Sequence, residues 1–307
     1  MSIEASIIIP TYNRKNILKR SLNYLFKQTY PAVKYEIIVV DDGSNDGTAE
    51  MIKALRPSCN LRYFRQDNRG VATARNLAIK NVKSQVIIFL DDDIFATSRL
   101  IEEHMSYHDR FSNVFVIGYT LLSPELIESS LFLRCVKKRH ERLPWHSANP
   151  TFSFQCANSS VKRENFLDVG LFDETLEKYG WEDIEWAYRA HKRGLQLKFN
   201  SDAIAYHYKN PTFQESCHLH RLMGKSGVTL HKKHPSLRVG LLLGVHPVIV
   251  FAKSILYNKL LVKLCQKIIP HIQSRKLLPI LCFCYSVVLE YHYFIGIKEG
   301  LGKKEIR

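Results

Sequence analysis

The sequence predicts an α/β fold built on a mixed, mainly parallel sheet flanked by helices, followed by a basic helical C-terminal extension. In the first hundred residues, short β-branched runs alternate with longer polar segments of helical pattern, as in successive βαβ units. Two of these runs, residues 36–40 and 85–90, are almost wholly aliphatic or aromatic, as expected for strands covered on both faces. With 307 residues, 46% apolar and 24% charged, the composition excludes disordered, collagen-like and small disulfide-rich proteins.

The predicted elements follow one another in a regular order. Strands are predicted at residues 5–9, 36–40, 61–65 and 85–90, of which the third has the weakest pattern. Helices are predicted at residues 15–28, 47–55 and 72–81, the second opened by Ser44 and Asp46, and a further helix near 183–193. Beyond residue 210 acidic residues nearly vanish, so we predict one domain over residues 1–210 and a basic, apolar helical extension over 211–307.

Polar residues collect where the predicted strands stop. Such clusters occupy residues 10–13, 41–44 and 91–93. In open α/β sheets ligands bind beyond the carboxyl ends of the strands, so we expect these three clusters to line one crevice.

Three adjacent carboxylates end the most hydrophobic strand. Asp91 and Asp93 project to the same side of an extended backbone and could hold a hard divalent cation, with water and phosphate oxygens as further ligands. The alternative is a solvated acidic turn that caps a helix near Thr97. The position at a strand end favours the metal site.

Asp41 and Asp42 also follow a buried strand. Their carboxylates could hydrogen-bond a base or a ribose, although Asp-Gly-Ser before a helix is also a common turn and N-cap arrangement. The chain has no Gly-x-Gly-x-x-Gly motif after the first strand and no P-loop motif, which removes the main sequence support for dinucleotide and P-loop binding.

Two further candidates lie in the second hundred residues and just beyond. Glu182 and Asp183, after Trp181, start a predicted helix, where a carboxylate can complement the helix dipole or act as a general base with a pKa raised by burial. His207 follows an aromatic segment, and on this evidence alone it is a packed histidine at the end of a strand.

Seven short segments stand in a specific order along the chain. They are residues 6–14 (SIIIPTYNR), 38–48 (IVVDDGSNDGT), 68–70 (NRG), 74–76 (ARN), 89–93 (FLDDD), 170–174 (GLFDE) and 180–183 (GWED). Each is weak alone, but their order and spacing together resemble the family 2 glycosyltransferases of GT-A fold, a Rossmann-like α/β architecture. The resemblance covers roughly residues 5–208.

The resemblance implies an enzyme that binds a nucleotide-sugar at the strand ends and transfers the sugar with inversion to an acceptor hydroxyl. The positions that match the family's donor-binding residues are Pro10, Thr11, Asn13, Asp41, Asp42, Arg75, Asp91 and Asp92. Trp181 would stack on a sugar face, or belong to the core instead.

The resemblance also implies the catalytic groups. A divalent ion, Mn²⁺ or Mg²⁺, would be held by Asp91, Asp93 and His207, with Asp93 favoured as the direct ligand. Such an ion stabilises the negative charge of the leaving diphosphate. Asp183 matches the catalytic base, with Glu182 beside it, and would take the proton of the attacking hydroxyl.

Two other functions remain open at this point. A sugar nucleotidyltransferase would also bind a nucleotide and a metal, but such enzymes usually carry a Gly-rich, Arg-containing loop after the first strand, where this chain has residues 10–13 (PTYN). The second is a non-catalytic basic membrane-surface protein with a decayed transferase domain. The presence of all three residues 91–93 and of Asp183 argues against decay.

The net charge of +15 is concentrated at one end of the chain. Residues 1–207 carry 28 basic and 25 acidic side chains, whereas residues 208–307 carry 16 and 4. Lys259, Lys263 and Lys267 recur every four residues beside leucines, which is typical of a helix lying on an anionic membrane surface. The apolar runs at 239–252 and 277–289 are shorter than a bilayer span, although spanning and a soluble helical subdomain both remain alternatives.

Compartment and partners follow from the same observations as expectations. No nucleic-acid-binding module is recognisable, so we expect no nucleic acid partner. Seven scattered cysteines and the absence of a signal peptide predict a cytoplasmic protein, associated peripherally with the cytoplasmic face of the membrane. The expected acceptor is a lipid-linked or surface glycan, as in polysaccharide biosynthesis. Loop shape around residues 120–155 is expected to set its specificity.

Overall fold

The computed structural model describes residues 2–142, 155–176, 180–272 and 274–302, which form two compact units. Described residues within 1–123, 144–177 and 182–209 form the first, called here the sheet unit. Those within 124–143, 178–181 and 210–307 form the second, the helical unit. The segment 120–155, predicted to set specificity, lies partly outside the described residues.

The sheet unit contains eight strands within the described part of the chain. They are β1 (Ala5–Thr11), β2 (Tyr35–Asp41), β3 (Asn60–Arg65), β4 (Val86–Leu90), β5 (Ile94–Ala96), β6 (Val114–Leu122), β7 (Asn158–Lys162) and β8 (Gln196–His207). Their order across the sheet is β3-β2-β1-β4-β7-β6-β8-β5. Four of the strand pairs are parallel and three, each involving β5 or β7, are antiparallel.

Helices alternate with these strands and make up most of the helical unit. In chain order they are α1 (Lys15–Leu25), α2 (Thr48–Ala54), α3 (Val71–Asn81), α4 (Leu100–Arg110), α5 (Pro124–Ser129), α6 (Leu131–Arg142), α7 (Arg163–Val169), α8 (Glu182–Lys192), α9 (Phe213–Lys233), α10 (Leu237–Leu242), α11 (Pro247–Leu256), α12 (Lys259–Ile268) and α13 (Leu278–Gly300). The predicted fold class, a mixed and mainly parallel sheet flanked by helices with a helical C-terminal extension, is confirmed.

The central strands are buried on both faces, as their aliphatic sequences predict. In β1, Ile7 and Ile9 belong to a core cluster that includes Leu18 of α1. Ile8, which points to the opposite face, belongs to a second cluster that includes Ala74 of α3. Because successive side chains of a strand point to opposite faces, one continuous apolar run supplies both cores.

The predicted helices agree with the observed ones to within a few residues. The first ends at Leu25 instead of residue 28, because Gln28 lies in the following turn and donates its side-chain amide to the Thr97 carbonyl at 2.8 Å. The second begins at Thr48, after Gly47 with φ +84°. Asp46 accepts a hydrogen bond from the Thr48 backbone N–H at 3.2 Å, so it supports the start of α2 as predicted.

The helical unit has its own tight core. α9 and α13 approach so closely that a Cβ added at Gly224 would collide with the Tyr293 carbonyl oxygen, and one added at Gly296 with the Arg221 carbonyl oxygen. A disulfide joins Cys135 in α6 to Cys282 in α13. The wide spacing of the cysteines in the sequence contained no signal for this pairing.

Two helical stretches of this unit are long and apolar enough to cross a membrane, judged by length and composition alone. They are Leu237–Leu256, 20 residues, and Leu278–Gly300, 23 residues. Both stretches are longer than the apolar runs at residues 239–252 and 277–289, because each helical stretch continues past the charged residue that ends its run. The first is interrupted between α10 and α11, where Gly244 adopts φ +64° and Pro247 starts the next helix.

Candidate active site

The shortest strand, β5, pairs with the longest strand, β8, and this pairing brings a histidine to the acidic cluster. β5 pairs with β8 so that Ile94 lies opposite His207, and the Tyr208 backbone N–H donates to the Asp93 carbonyl at 2.8 Å. As a result His207 Nε2 lies 3.0 Å from Asp93 Oδ1. The two residues, far apart in sequence, therefore form one polar pair at the end of the sheet strands.

Arg14 binds two of the three carboxylates in the cluster. Its guanidinium donates to Asp92 Oδ1 and to Asp93 Oδ2, both at 2.7 Å. The Thr11 hydroxyl donates to the second oxygen of Asp92 at 2.8 Å. Arg14, which remains 40% exposed, thus holds the end of β1 against the end of β4.

The pKa values of Asp92 and Asp93 are shifted in opposite directions by their surroundings. Burial raises the pKa of Asp92 to about 7, more than the nearby Arg14 lowers it. Burial also opposes ionisation of Asp93, but the contacts from His207 and Arg14 outweigh it and hold the pKa of Asp93 well below its usual range. Asp93 is therefore the carboxylate of this pair that is firmly ionised at neutral pH.

Arg75 joins the acidic cluster to the start of α8. Its buried guanidinium donates to Asp91 Oδ1 at 2.9 Å and to Glu182 Oε1 at 2.8 Å. Arg75 matches a donor-binding position in the resemblance, and in this structure its two terminal nitrogens both contact carboxylates. The bridge fixes Glu182, and with it the first turn of α8, beside the end of β4.

Asp183 lies next to this bridge and is partly buried. Its Oδ1 accepts the Ile184 backbone N–H at 2.7 Å, and its Oδ2 faces the Cys156 backbone N–H at 3.4 Å. Burial, then the negative charge of Glu182, raises the pKa of Asp183 to about 7 despite the nearby Arg75. A carboxyl group with such a pKa can accept a proton near neutral pH, which is what a general base requires.

The residues expected to bind the nucleotide base or ribose make a network of their own. Asp41 Oδ1 accepts the Ser44 backbone N–H and Oδ2 accepts the Tyr63 hydroxyl, both at 2.7 Å. Asp42 accepts the backbone N–H of Arg69 at 2.8 Å and of Gly70 at 2.9 Å. Both carboxylates therefore fix the loops around the strand ends.

The turn after β1 is locked to the turn after β2. Asn13 has φ 52°, a left-handed conformation that asparagine tolerates better than most residues. Its side-chain oxygen accepts the Asn45 backbone N–H at 2.9 Å, and its own N–H donates to the Ser44 hydroxyl at 2.7 Å. Pro10 lies one residue before the end of β1, so the predicted residues Pro10, Thr11 and Asn13 follow one another along this edge.

Trp181 has a strained backbone. Its φ of 109° is unfavourable for a residue with a Cβ, and strain of this kind often marks a functional position. Its indole N–H donates to the Met223 carbonyl at 2.9 Å within the helical unit. The side chain is only partly buried, so it is not a core aromatic of the sheet unit.

The donor atoms at Asp93 and His207 fit a divalent cation. Asp93 Oδ1 is buried and accepts no hydrogen bond of normal geometry, although His207 Nε2 faces it at 3.0 Å. A carboxylate oxygen is a ligand that suits Mn²⁺ and Mg²⁺, and an imidazole nitrogen is a common ligand of transition-metal ions. Among the described residues, no group of three or more His, Cys, Asp or Glu side chains is arranged to hold a metal ion. Asp91, the third predicted ligand, instead pairs with Arg75.

Two residues of the site carried no role in the sequence analysis. Arg14 stood inside the first motif, but an arginine beside a turn gives no sign of which carboxylates it will meet. Asn76 donates to the Phe172 carbonyl at 2.9 Å and accepts the Phe172 N–H at 3.0 Å, which joins α3 to the segment before α8. Both belong to segments that carry the resemblance, and that membership was the available signal.

An eight-stranded mixed sheet with acidic residues at its strand ends defines an enzyme-like α/β domain of GT-A type. Solved structures support this fold. A mannosyltransferase, PcManGT from Pyrobaculum calidifontis in complex with GDP-Man and Mn²⁺, is similar over 99% of this chain and 89% of its own, with a TM-score of 0.66 and 18% identity. The structure of residues 1–349 of S. aureus TarS in complex with UDP-GlcNAc is similar over 99% of this chain and 93% of the TarS chain, with a TM-score of 0.55 and 17% identity.

Sequence comparison supports the same family. Residues 6–154 match the model of glycosyl transferase family 2, which confirms the predicted resemblance to that family. It is 29% identical to the uncharacterized glycosyltransferase YfnE of Bacillus subtilis, across 68% of this chain and 66% of YfnE. It is 28% identical to a validoxylamine A glucosyltransferase of Streptomyces hygroscopicus, across 64% of this chain and 54% of that protein. The chain thus spans about half to two thirds of the length of these curated relatives.

Proposed function

We propose that the protein transfers a sugar from a nucleotide-sugar donor to an acceptor hydroxyl, with inversion at the anomeric carbon. The observation that carries this proposal is the placement of Asp183, with its pKa of about 7, beside the Arg75 bridge to the acidic cluster. A proton acceptor and a diphosphate-binding cluster held in one site are the two parts that such a transfer needs.

In the proposed reaction Asp183 accepts the proton of the acceptor hydroxyl as its oxygen attacks the anomeric carbon. The bond from that carbon to the diphosphate breaks at the same time, and the nucleoside diphosphate leaves with the bonding electrons. A single displacement of this kind inverts the configuration. Arg75 and Glu182 position Asp183 by fixing the first turn of α8.

The cluster at the strand ends would receive the diphosphate. Asp93 and His207 are the residues that would hold a divalent ion, Mn²⁺ or Mg²⁺, which would offset the negative charge of the leaving diphosphate when bound. Arg14, partly exposed beside Asp92 and Asp93, supplies a further positive charge at the same place.

We further propose that Asp41 and Asp42 exchange some of their present contacts for the base or ribose of the donor, and that Trp181 stacks on a sugar. The acceptor is proposed to be a lipid-linked or surface glycan, in keeping with a protein bound peripherally to the cytoplasmic face of a membrane. Solved relatives of the fold bind UDP-GlcNAc and GDP-Man, so these two donors are the first to examine.

A screen of nucleotide-sugars tests the proposal. Each donor is incubated with the purified protein and Mn²⁺, and release of the nucleoside diphosphate and thermal stabilisation are measured. We expect one nucleotide-sugar both to stabilise the protein and to be cleaved. Stabilisation without cleavage by any donor, with or without acceptors, would favour the decayed-transferase alternative. Incorporation of a nucleotide from a nucleoside triphosphate would instead favour the nucleotidyltransferase alternative.

A further inference from the structure

The helical unit contains a long stretch without acidic residues. From residue 216 to residue 289 the chain carries eleven Lys and Arg residues and no Asp or Glu. Lys253 meets the next acidic residue, Glu290, at 3.1 Å. A region with such an excess of positive charge attracts anionic partners.

The same stretch also holds most of the exposed apolar surface. Of nineteen large hydrophobic side chains that are exposed among the described residues, twelve lie between Leu237 and Phe283. Leu260 is 80% exposed, Phe251 68% and Val248 65%. In the sheet unit, by contrast, exposed apolar residues occur singly and far apart in sequence. An apolar concentration of this kind marks an interaction surface.

α12 shows how charge and apolar surface are combined. Val262 and Cys265 are buried against the rest of the unit, whereas Leu260 and Leu264 are exposed. A lysine directly precedes each of the positions 260, 264 and 268; the three are Lys259, Lys263 and Lys267. They form a basic edge of the helix beside the leucines. This arrangement is typical of helices that lie in the headgroup region of a bilayer, with leucines in the acyl chains and lysines at the phosphates.

The remaining contacts favour a surface position over a span. α10 and α11 are separated by a turn at Gly244, so the apolar stretch there is not one continuous helix. Glu290 lies near the middle of α13, so a span through α13 would place its pair with Lys253 in hydrocarbon, where charge is costly. Nucleic acid is disfavoured because its phosphates would engage the lysines but leave Phe251 and Leu260 in water.

We propose that the exposed face of α10, α11, α12 and the first two turns of α13 is a docking surface for an anionic phospholipid bilayer. Apolar side chains such as Leu237, Phe251 and Leu260 enter the acyl boundary, and the lysines of α12 contact lipid phosphates. This inference does not depend on the proposed transferase activity.

Sedimentation with vesicles of phosphatidylcholine alone, or mixed with phosphatidylglycerol, tests the proposal on the full chain. Wild type is expected to bind the mixed vesicles and to bind phosphatidylcholine much more weakly. Phe251→Ser with Leu260→Ser should weaken binding to mixed vesicles about tenfold or more at every salt concentration. Lys263→Gln with Lys267→Gln should weaken it by roughly tenfold at low salt and little at high salt. Val33→Ser, an exposed change in the sheet unit, is the matched control and should bind like wild type.

Each other result overturns the proposal. Equal sedimentation of wild type and the Phe251/Leu260 variant would mean that these two residues do not contact lipid. A dimer in light scattering that this variant abolishes, without vesicle binding, would assign the face to a second copy. Protein that resists extraction from vesicles by alkaline carbonate would span the bilayer instead of docking on it. The double variants should cleave donor in solution like wild type, so loss of docking and failure of the proposed activity are distinguishable.

Discussion

His207 Nε2 lies 3.0 Å from Asp93 Oδ1, and the contact exists because β5, three residues long, pairs with the far end of β8. The oxygen that faces the imidazole is buried and has no hydrogen bond of normal geometry. Two donor atoms in this relationship are suited to share a cation between them. The pairing of two strand ends therefore sets the geometry of the proposed metal site.

Replacing His207 tests that relationship. For His207→Ala we expect the Mn²⁺ concentration that gives half-maximal donor cleavage to rise about tenfold or more, because a nitrogen ligand is lost while Asp93 remains. EDTA should abolish wild-type activity, and Mn²⁺ or Mg²⁺ should restore it. Tyr206→Phe, in the same strand, is the control and should leave the metal dependence unchanged. Activity that survives chelation would exclude the proposed metal role.

The pH dependence of the rate follows from Asp183. Burial and Glu182 raise the pKa of this group to about 7, so the carboxyl group is protonated, and inactive as a base, at lower pH. We expect kcat/KM to fall about tenfold for each pH unit below about 7 and to level off above it. Asp202→Asn, at an exposed position, should give the same profile. A rate that does not change between about pH 5.5 and 8 would contradict the assignment.

Gly224 tests the packing of the helical unit separately from the site. Because a Cβ at this position would collide with the Tyr293 carbonyl oxygen, Gly224→Ala must push α9 and α13 apart. We expect a loss of about 1–3 kcal/mol in the free energy of unfolding, the usual cost of overpacking. Chemical denaturation measures this change, and Lys232→Ala, exposed on the same helix, should leave stability within about 0.5 kcal/mol of wild type. Equal stability of Gly224→Ala and wild type would mean that the two helices do not pack as described.

The sequence was sufficient to predict the strands that are apolar on both faces, β1, β2 and β4. β7 was not predicted because its sequence, NSSVK, has no apolar pattern, although four of its five residues are buried. Two of its polar side chains have internal partners: Ser160 Oγ lies 2.8 Å from His104 Nδ1 and 2.7 Å from His108 Nε2, and Asn158 Oδ1 lies 2.9 Å from His104 Nε2. A buried polar strand is stabilised by partners on a distant helix, and no local pattern reports them.

The site was predictable in part for a similar reason. Motif order identified Asp183, Asp93 and His207 as candidates, because the resemblance carries information on position that local chemistry does not. The contacts of Arg14 and Arg75 were not predictable, since a guanidinium can reach several carboxylates and only the packing of strand and helix ends selects among them. The long α13 was underestimated because Glu290, expected to end an apolar run, is accommodated by Lys253.

The most direct test of the proposed function compares wild type with Asp183→Asn on the cleaved donor and an acceptor. Donor binding, measured by calorimetry, should stay within about twofold, while transfer falls about 10²–10⁴-fold, because only the proton acceptor is lost. Wild-type product should have the anomeric configuration opposite to that of the donor. Transfer by Asp183→Asn near the wild-type rate, with donor binding intact, would contradict the account.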